Sequence, residues 1–378
     1  MTTVINPAIP DLLYSETEES LREALVDALD RSNDWPVRLA RSESEATVDS
    51  TLWRTLAADM GLAGLPIGEP EGGAGASWRE SAVVMEELGR RVEAVPFLGS
   101  AITATALLDA VGGGDVLRQV AAGEMVAVLA VAADTPPWHR PHAVVRSDTG
   151  ALVGRVPSVT DALIADLFLV VVSDELYAVP ARSVSVTPVT SLDMTRQLAD
   201  LHFDDAEGML IASGPDVTLA AERALTLSVA MLASEQLGVA EACLTMAVEY
   251  LKERRQFGRV LGSYQALKHR LADLWVDITH ARAAARHAAG CAADDNPDLP
   301  IASALAGIVC AEVALKAAQE CIQLHGGIGF TWEHPAHLFL KRAKSSTLMF
   351  GGVDGRREHL GTLVGITSDA GWEGDSTP

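Results

Sequence analysis

Two short stretches in the last third of the chain decide its fold: Arg254–Gly258, RRQFG, and Gln323–Phe330, QLHGGIGF. Each closes a long run with apolar residues at three- and four-residue spacing, over 218–252 and 300–324, and so marks the end of a long helix. The Gly326-Gly327 pair behind the second run is a natural helix C-cap, because glycine takes the left-handed conformation that ends a helix. Two more helical blocks, 265–292 and 335–349, complete a set of four. Joined without long loops, they predict a bundle in which each helix buries an apolar stripe.

Upstream of the bundle the period changes. Between 123 and 208 the apolar residues fall in short β-branched runs separated by turn residues: Met125–Ala132, His142–Arg146, Ala151–Val156, Leu167–Val172, Leu176–Pro180, Val184–Val189 and Leu198–Phe203. The first 120 residues read as helical again, over Ser15–Asp30, Ser50–Met60, Trp78–Val92 and Phe97–Val111. The expected fold is mainly α with a β insert: a helical unit over 1–122, a small β-barrel or sandwich over 123–215, a four-helix bundle over 216–365 and an unstructured tail over 366–378. The glycine-rich Gly68–Gly75 precedes a helix but lacks the Lys-Ser/Thr of a phosphate-binding loop and carries two glutamates, so it reads as a connection.

Composition narrows the classes. With 48% hydrophobic and only 5% aromatic residues in 378, the chain reads as a helix-rich globular protein. Its formal charge of -22 argues against a nucleic-acid or anionic-membrane partner, yet leaves room for an anionic cofactor met by a local basic patch. No basic start with an apolar run and no stretch of about 18 apolar residues is present, so a cytoplasmic location is expected. Cys243, Cys291, Cys310 and Cys321 form no CxxC pair and read as small buried side chains, without disulfide or metal roles.

The order helical unit, β unit, bundle resembles the acyl-CoA dehydrogenase family, as do several local stretches at matching places. These are the EPEGGAG loop with VVMEELGR after it, LADLHFDD, YLKERRQFG (Tyr250–Gly258) with Tyr264-Gln265, and QLHGGIGFTWEHPAHLFLKRAK (Gln323–Lys344). The resemblance implies FAD and removal of two hydrogens across the Cα and Cβ of an acyl-CoA. In that family a glutamate takes the α-proton while hydride passes to the flavin. It also implies that Arg254 reaches the FAD pyrophosphate, where a guanidinium bonds two oxygens at once. Phe257 would pack on the dinucleotide, and Gln323, Gly326 and Gly327 would accept its close approach. In the family these groups serve the flavin of the neighbouring subunit, and an electron-transfer flavoprotein takes the electrons.

The chain departs from the family at the base. Aligning without gaps from Gly326 puts the usual glutamate position on Phe350, or on Gly351 after a one-residue slip, and neither accepts a proton. The alternative position on the first bundle helix falls near Ser228. Glu235 is two turns further along, about 10 Å at 1.5 Å per residue, and reads as a polar residue at a helix contact. Glu222 and Glu241 fit no better, and Asp354 reads as a loop carboxylate. The family's Thr-Glu-Pro-x-x-Gly-Ser-Asp-like loop is replaced by Ala132–Pro141 (AADTPPWHRP), and the tryptophan of its Trp-Ile-Thr segment is missing.

Groups for the chain's own flavin are thus lost and groups lent to a partner kept. That pattern is similar to the base-less chain of actinobacterial hetero-oligomers acting on steroid side-chain CoA esters, whose related subunit carries the glutamate. Two other readings stand beside it: a self-sufficient homotetramer with a displaced base, and a flavin-free acyl-CoA-binding or scaffold subunit.

Overall fold

The computed structural model describes residues 11–31, 35–44, 46–141 and 143–366. The expected tail lies outside them except for Ile366. Helix α1 (Glu16–Asp30) starts from a capping box in which the Ser15 hydroxyl and the Glu18 carboxylate each accept the other's backbone N–H. Helix α2 (Trp35–Ser42) is additional to the elements read from the sequence, and α3 (Ser50–Arg54) continues as a π-helical turn over Thr55–Asp59. The Gly68–Gly75 loop follows, and its amides are used internally: Gly72 donates to Glu69, Gly73 to Gly68 and Gly75 to Ile67. It is a connection, as expected, with the amides of Glu71–Gly75 bonded within the protein. A second capping box, Ser77 with Glu80, opens α4 (Trp78–Arg91). A π-helical stretch, Phe97–Ala104, runs into α5 (Thr105–Val111), and α6 (Gly114–Ala121) is again additional.

Eight strands form two four-stranded sheets: β1 (Ala127–Leu129), β2 (Val144–Arg146), β3 (Leu152–Thr160), β4 (Leu167–Val172), β5 (Glu175–Pro180), β6 (Ser185–Val189), β7 (Leu198–Ala206) and β8 (Met209–Ser213). One sheet runs β1-β4-β5-β8 and the other β2-β3-β7-β6; every pair is antiparallel except β1 with β4. Strand β4, LFLVVV, is buried along its whole length, which is why it reads as a continuous apolar run. The expected strands are present with shifted ends. β1 is shorter than Met125–Ala132, β3 extends beyond Val156, His142 lies outside the described residues, and β8 is new.

The bundle begins with α7 (Asp216–Glu253). A two-residue hairpin, β9 (Arg255–Gln256) with β10 (Arg259–Val260), leads to α8 (Gln265–Ala293) and α9 (Leu299–His325). Helices α7 and α9 run parallel: the Ser303 hydroxyl donates to Thr226 O (2.7 Å) near one end, and Leu251 and Leu324 share an apolar cluster at the other. Helix α8 returns between them, with Arg282 paired to Glu241. The fourth helix, α10 (Ala336–Ser346), stops short of the expected 349. A fifth, α11 (Gly352–Leu363), corrects the reading of Asp354, which sits in its first turn, fully exposed and 3.0 Å from Arg357.

Helix α4 crosses α7 at two glycines. A Cβ on Gly89 would overlap the Glu235 carbonyl, and one on Gly238 the Glu86 carbonyl, so the two backbones touch where only glycine fits. The helix α7 and the run Leu299–Phe330 are long and apolar enough to span a bilayer, but 78% and 61% of their apolar windows are buried inside the protein. They are core helices. All four cysteines are buried and free, as expected.

Candidate active site and flavin-contact surface

All five residues expected to contact a flavin stand at one end of the bundle. Parallel α7 and α9 finish side by side, pinned by Ala247, Leu251 and Leu324 with Tyr250 and Leu261 packed on them. The Tyr250 ring lies 4.5 Å from that of His325. Arg254 is the C-cap of α7, exposed, and its side chain has no hydrogen bond or ion pair among the described residues. The hairpin after it turns on Phe257 (φ 53°) and Gly258 (φ 79°), the left-handed pair that suits a two-residue hairpin loop. A phenylalanine in that conformation is strained, and this one is 87% exposed. Strain and apolar exposure together mark a contact residue.

Gln323 is exposed on the last turn of α9, and Gly326 (φ 63°, its N–H donating to Gln323 O) is the C-cap. Gly327 follows it in the 3-10 turn Gly326–Phe330. A Cβ on either glycine would meet nothing within 4 Å, so this face is open to a ligand from outside. Phe330 and Trp332, 78% and 58% exposed, extend the apolar rim. The His334 ring lies 4.3 Å from that of His325, tilted by 48°, and burial, with His325 beside it, pushes its pKa down to about 4. An exposed arginine, an exposed aromatic ring and a bare glycine backbone are groups that fit a dinucleotide.

A second region lies between the β sheets and the bundle. An open cleft of about 590 Å³ is lined by Ala132, Ala133, Pro157, Leu198, Leu348 and Met349, with Asp134 exposed at its edge. Its one cation, Arg196, is already committed: it donates to Glu235 (2.5 Å) and to the Ser346 hydroxyl (3.2 Å). Its other polar side chains are Asp134, Ser158 and Ser345, so the cleft offers a ligand hydroxyls and a carboxylate but no free side-chain cation. Behind it, Leu98, Gly99, Thr103, Val128, Leu225 and Phe350 enclose a void of only about 30 Å³.

The three expected base positions are placed here, and none is an acid. Phe350 is buried, at φ 51°, followed by Gly351 (φ 87°) and Gly352 (φ 66°). Ser228 is fully buried; its hydroxyl donates to Ala224 O (2.7 Å) and lies 2.7 Å from Thr103 Oγ1, a hydroxyl pair with no basic group to receive a proton. Glu235 is buried as a helix-contact residue, held by Arg196 and by Arg342 (3.3 Å). Arg342 also donates to Asp193 (2.5 Å) and to Thr195 Oγ1 (2.7 Å). Burial alone would raise the Asp193 pKa, but Arg342 and Arg196 outweigh it and hold the carboxyl below its usual range.

Sequence reasoning passed over Asp161. Its carboxyl accepts the Gly99 N–H (3.2 Å), and removal from water pushes its pKa up to about 6 despite nearby Arg196. It faces a separate small void beside Val95, Thr195 and Gln197, not the cleft. Only its position just after β3 marked it in advance.

Fold and site define an acyl-CoA dehydrogenase. The family model for the acyl-CoA dehydrogenase N-terminal domain matches residues 15–119, and that for the C-terminal domain matches 218–362. The chain belongs to the acyl-CoA dehydrogenase family, whose members are FAD-dependent oxidoreductases. Among individual relatives, it is 36% identical over 332 residues to acyl-CoA dehydrogenase IpdE2 of Mycobacterium tuberculosis, covering 88% of this chain and 92% of that one. The crystal structure of the ChsE4-ChsE5 complex from Mycobacterium tuberculosis superimposes with a TM-score of 0.83 at 27% identity, over 94% of this chain and 99% of that one. A variant of the Tcur3481-Tcur3483 steroid ACAD gives 0.82 at 28%, over 93% and 98%.

Proposed function

We propose that this chain is the base-less subunit of a hetero-oligomeric acyl-CoA dehydrogenase, completing the FAD site of a related subunit that carries the catalytic glutamate. The observation that carries the proposal is an asymmetry. Phe350, Gly351 and Ser228 stand where an acid would act, whereas Arg254, Phe257, Gln323, Gly326 and Gly327 are exposed at one bundle end. In a homo-oligomer every site would lack its base.

The bound flavin supplies the hydride acceptor for dehydrogenation. This chain's part is to hold it: Arg254 neutralises and orients the pyrophosphate, Phe257 covers an apolar face, and the Gly326-Gly327 backbone allows close approach. The division into units at 122/123 and 215/216 is part of the same proposal. So are a cytoplasmic location, an electron-transfer flavoprotein as acceptor, and a steroid side-chain or fatty acyl-CoA as substrate. Two of the similar structures are two-chain complexes by their titles, one of them a steroid ACAD, which supports the pairing. The test is expression alone and with a related subunit: dehydrogenation is expected only from the pair. A yellow, active protein purified without a partner refutes the assignment.

A further inference from the structure

We propose that the Phe350 side chain is a built-in plug that fills, in this chain, the slot an acyl chain would enter between the β sheets and the bundle. The proposal rests on the reading that Met349–Gly352 corresponds to the family's base segment, and it goes further by giving Phe350 a task of its own. The inner void is walled mostly by aliphatic side chains that suit an alkyl chain, Leu98, Val128, Leu129, Val131 and Leu225, with Thr103 and Thr160 among them. With Phe350 in place about 30 Å³ remains, room for about one water. The outer cleft of about 590 Å³ shares Ala132, Ala133 and Met349 with that void, while Phe350 lines the inner one only. The two spaces are adjacent across that shared wall, and the ring stands on the inner side of it.

Several contacts keep it there. A bulky residue at φ 51° is strained, and such a conformation persists only where the surroundings fix it. Phe350 N–H donates to Ala133 O (2.9 Å) and Gly351 N–H to Asp134 O (2.8 Å), tying the segment to the loop Ala132–Pro141. That loop is in turn strapped to α11: Trp138 stacks on His359 with ring centres 4.0 Å apart and planes 15° apart. Gly351 must be glycine, since a Cβ there would press on Pro136 and the Trp138 ring. The buried Arg356 guanidinium donates to Met349 O (2.7 Å) and Gly307 O (3.1 Å), with no carboxylate partner among the described residues. Arg356 and the strap are positioning groups for the plug. The ligand class excluded by the plug, and admitted by its removal, is the unbranched alkyl chain of an acyl thioester.

The experiment is titration calorimetry of octanoyl-CoA into the purified full-length chain, wild type and Phe350→Gly. Glycine adopts the left-handed conformation without strain, so the variant is expected to keep the fold. The wild type should give no saturable binding and the variant one octanoyl-CoA per chain. The gain should be at least about tenfold in affinity, which is what burial of two methylene groups yields. CoA alone should show no gain, which separates the slot from binding of the nucleotide part. If Phe350→Gly does not fold by circular dichroism, Phe350→Leu shortens the plug and should show a smaller gain. Equal affinity of wild type and variant overturns the proposal, whether both bind or neither does. The base-less reading is judged separately, by dehydrogenation with the wild-type chain alone, so either can fail without the other.

Discussion

The Tyr250 ring lies 4.5 Å from the His325 ring, tilted by 31°, and so joins the last turn of α7 to the last turn of α9. Through that contact two motifs some 70 residues apart in the chain become one surface. His325 is itself fixed by its Nδ1 donating to Cys321 O at 2.7 Å. The surface is anchored on the bundle ends, with Phe257 carried on the hairpin turn and Gly326-Gly327 on the turn that follows α9.

Phe257 is 87% exposed, so Phe257→Ser should leave the chain's own stability within about 0.5 kcal/mol of wild type. The same change should lower flavin retention in the complex, where the ring becomes covered. A urea melt of the lone chain and the flavin absorbance of the complex check the two halves.

The crossing of α4 and α7 has no room for a methyl group at Gly238. Gly238→Ala should force the helices apart and cost about 2–3 kcal/mol, read as a lower urea midpoint. Gly327→Ala is the contrast: a Cβ there meets nothing within 4 Å, and stability should hardly change.

Asp161 gives a pH signature. Its folded pKa, about 6, lies above the roughly 3.9 of an unfolded aspartate. A raised pKa contributes stability that is complete below pH ~4 and lost as pH rises through 6. Asp161→Asn should therefore raise the melting temperature at pH 8 relative to wild type. The effect at pH 8 should be up to about 2 kcal/mol, fading toward pH 4. A thermal melt series across that range shows it, and a pH-independent difference would contradict the cause given.

Asp193 acts with the opposite sign. Its depressed pKa contributes stability present above the unfolded aspartate value and lost as pH falls through the folded one. Asp193→Ala at neutral pH strips Arg342 of its closest carboxylate, 2.5 Å away, inside the protein. A loss of about 3–5 kcal/mol is expected in a denaturant melt.

Much of this was legible in the sequence because helix ends and glycine caps are local signals. The runs before RRQFG and QLHGGIGF gave two of the long bundle helices, and the β-branched runs after Gly123 gave seven of the eight strands of the two sheets, though not their pairing. Helix α11 was not legible: Asp354 read as a loop carboxylate, and the helix's place against α9 depends on burying Arg356, whose partner carbonyl at Gly307 is 49 residues away. The Asp193–Arg196–Glu235–Arg342 cluster was hidden for a similar reason. Each member is an ordinary surface residue by type, and only the tertiary fold brings them together across as many as 149 positions. The missing base was visible as a residue identity. The conformation that turns Phe350 inward, φ 51°, depends on contacts from Ala133, Arg356 and Trp138 that no local pattern announces.

The most direct measurement of the central claim is bound FAD per chain in the complex with the related subunit, from flavin absorbance, for wild type and Arg254→Ala. One FAD per pair of chains is expected for wild type. The variant should weaken FAD affinity about tenfold or more through loss of a charge-assisted contact to the pyrophosphate, with the complex otherwise intact. Unchanged FAD content in Arg254→Ala would contradict the claim that this subunit holds its partner's flavin.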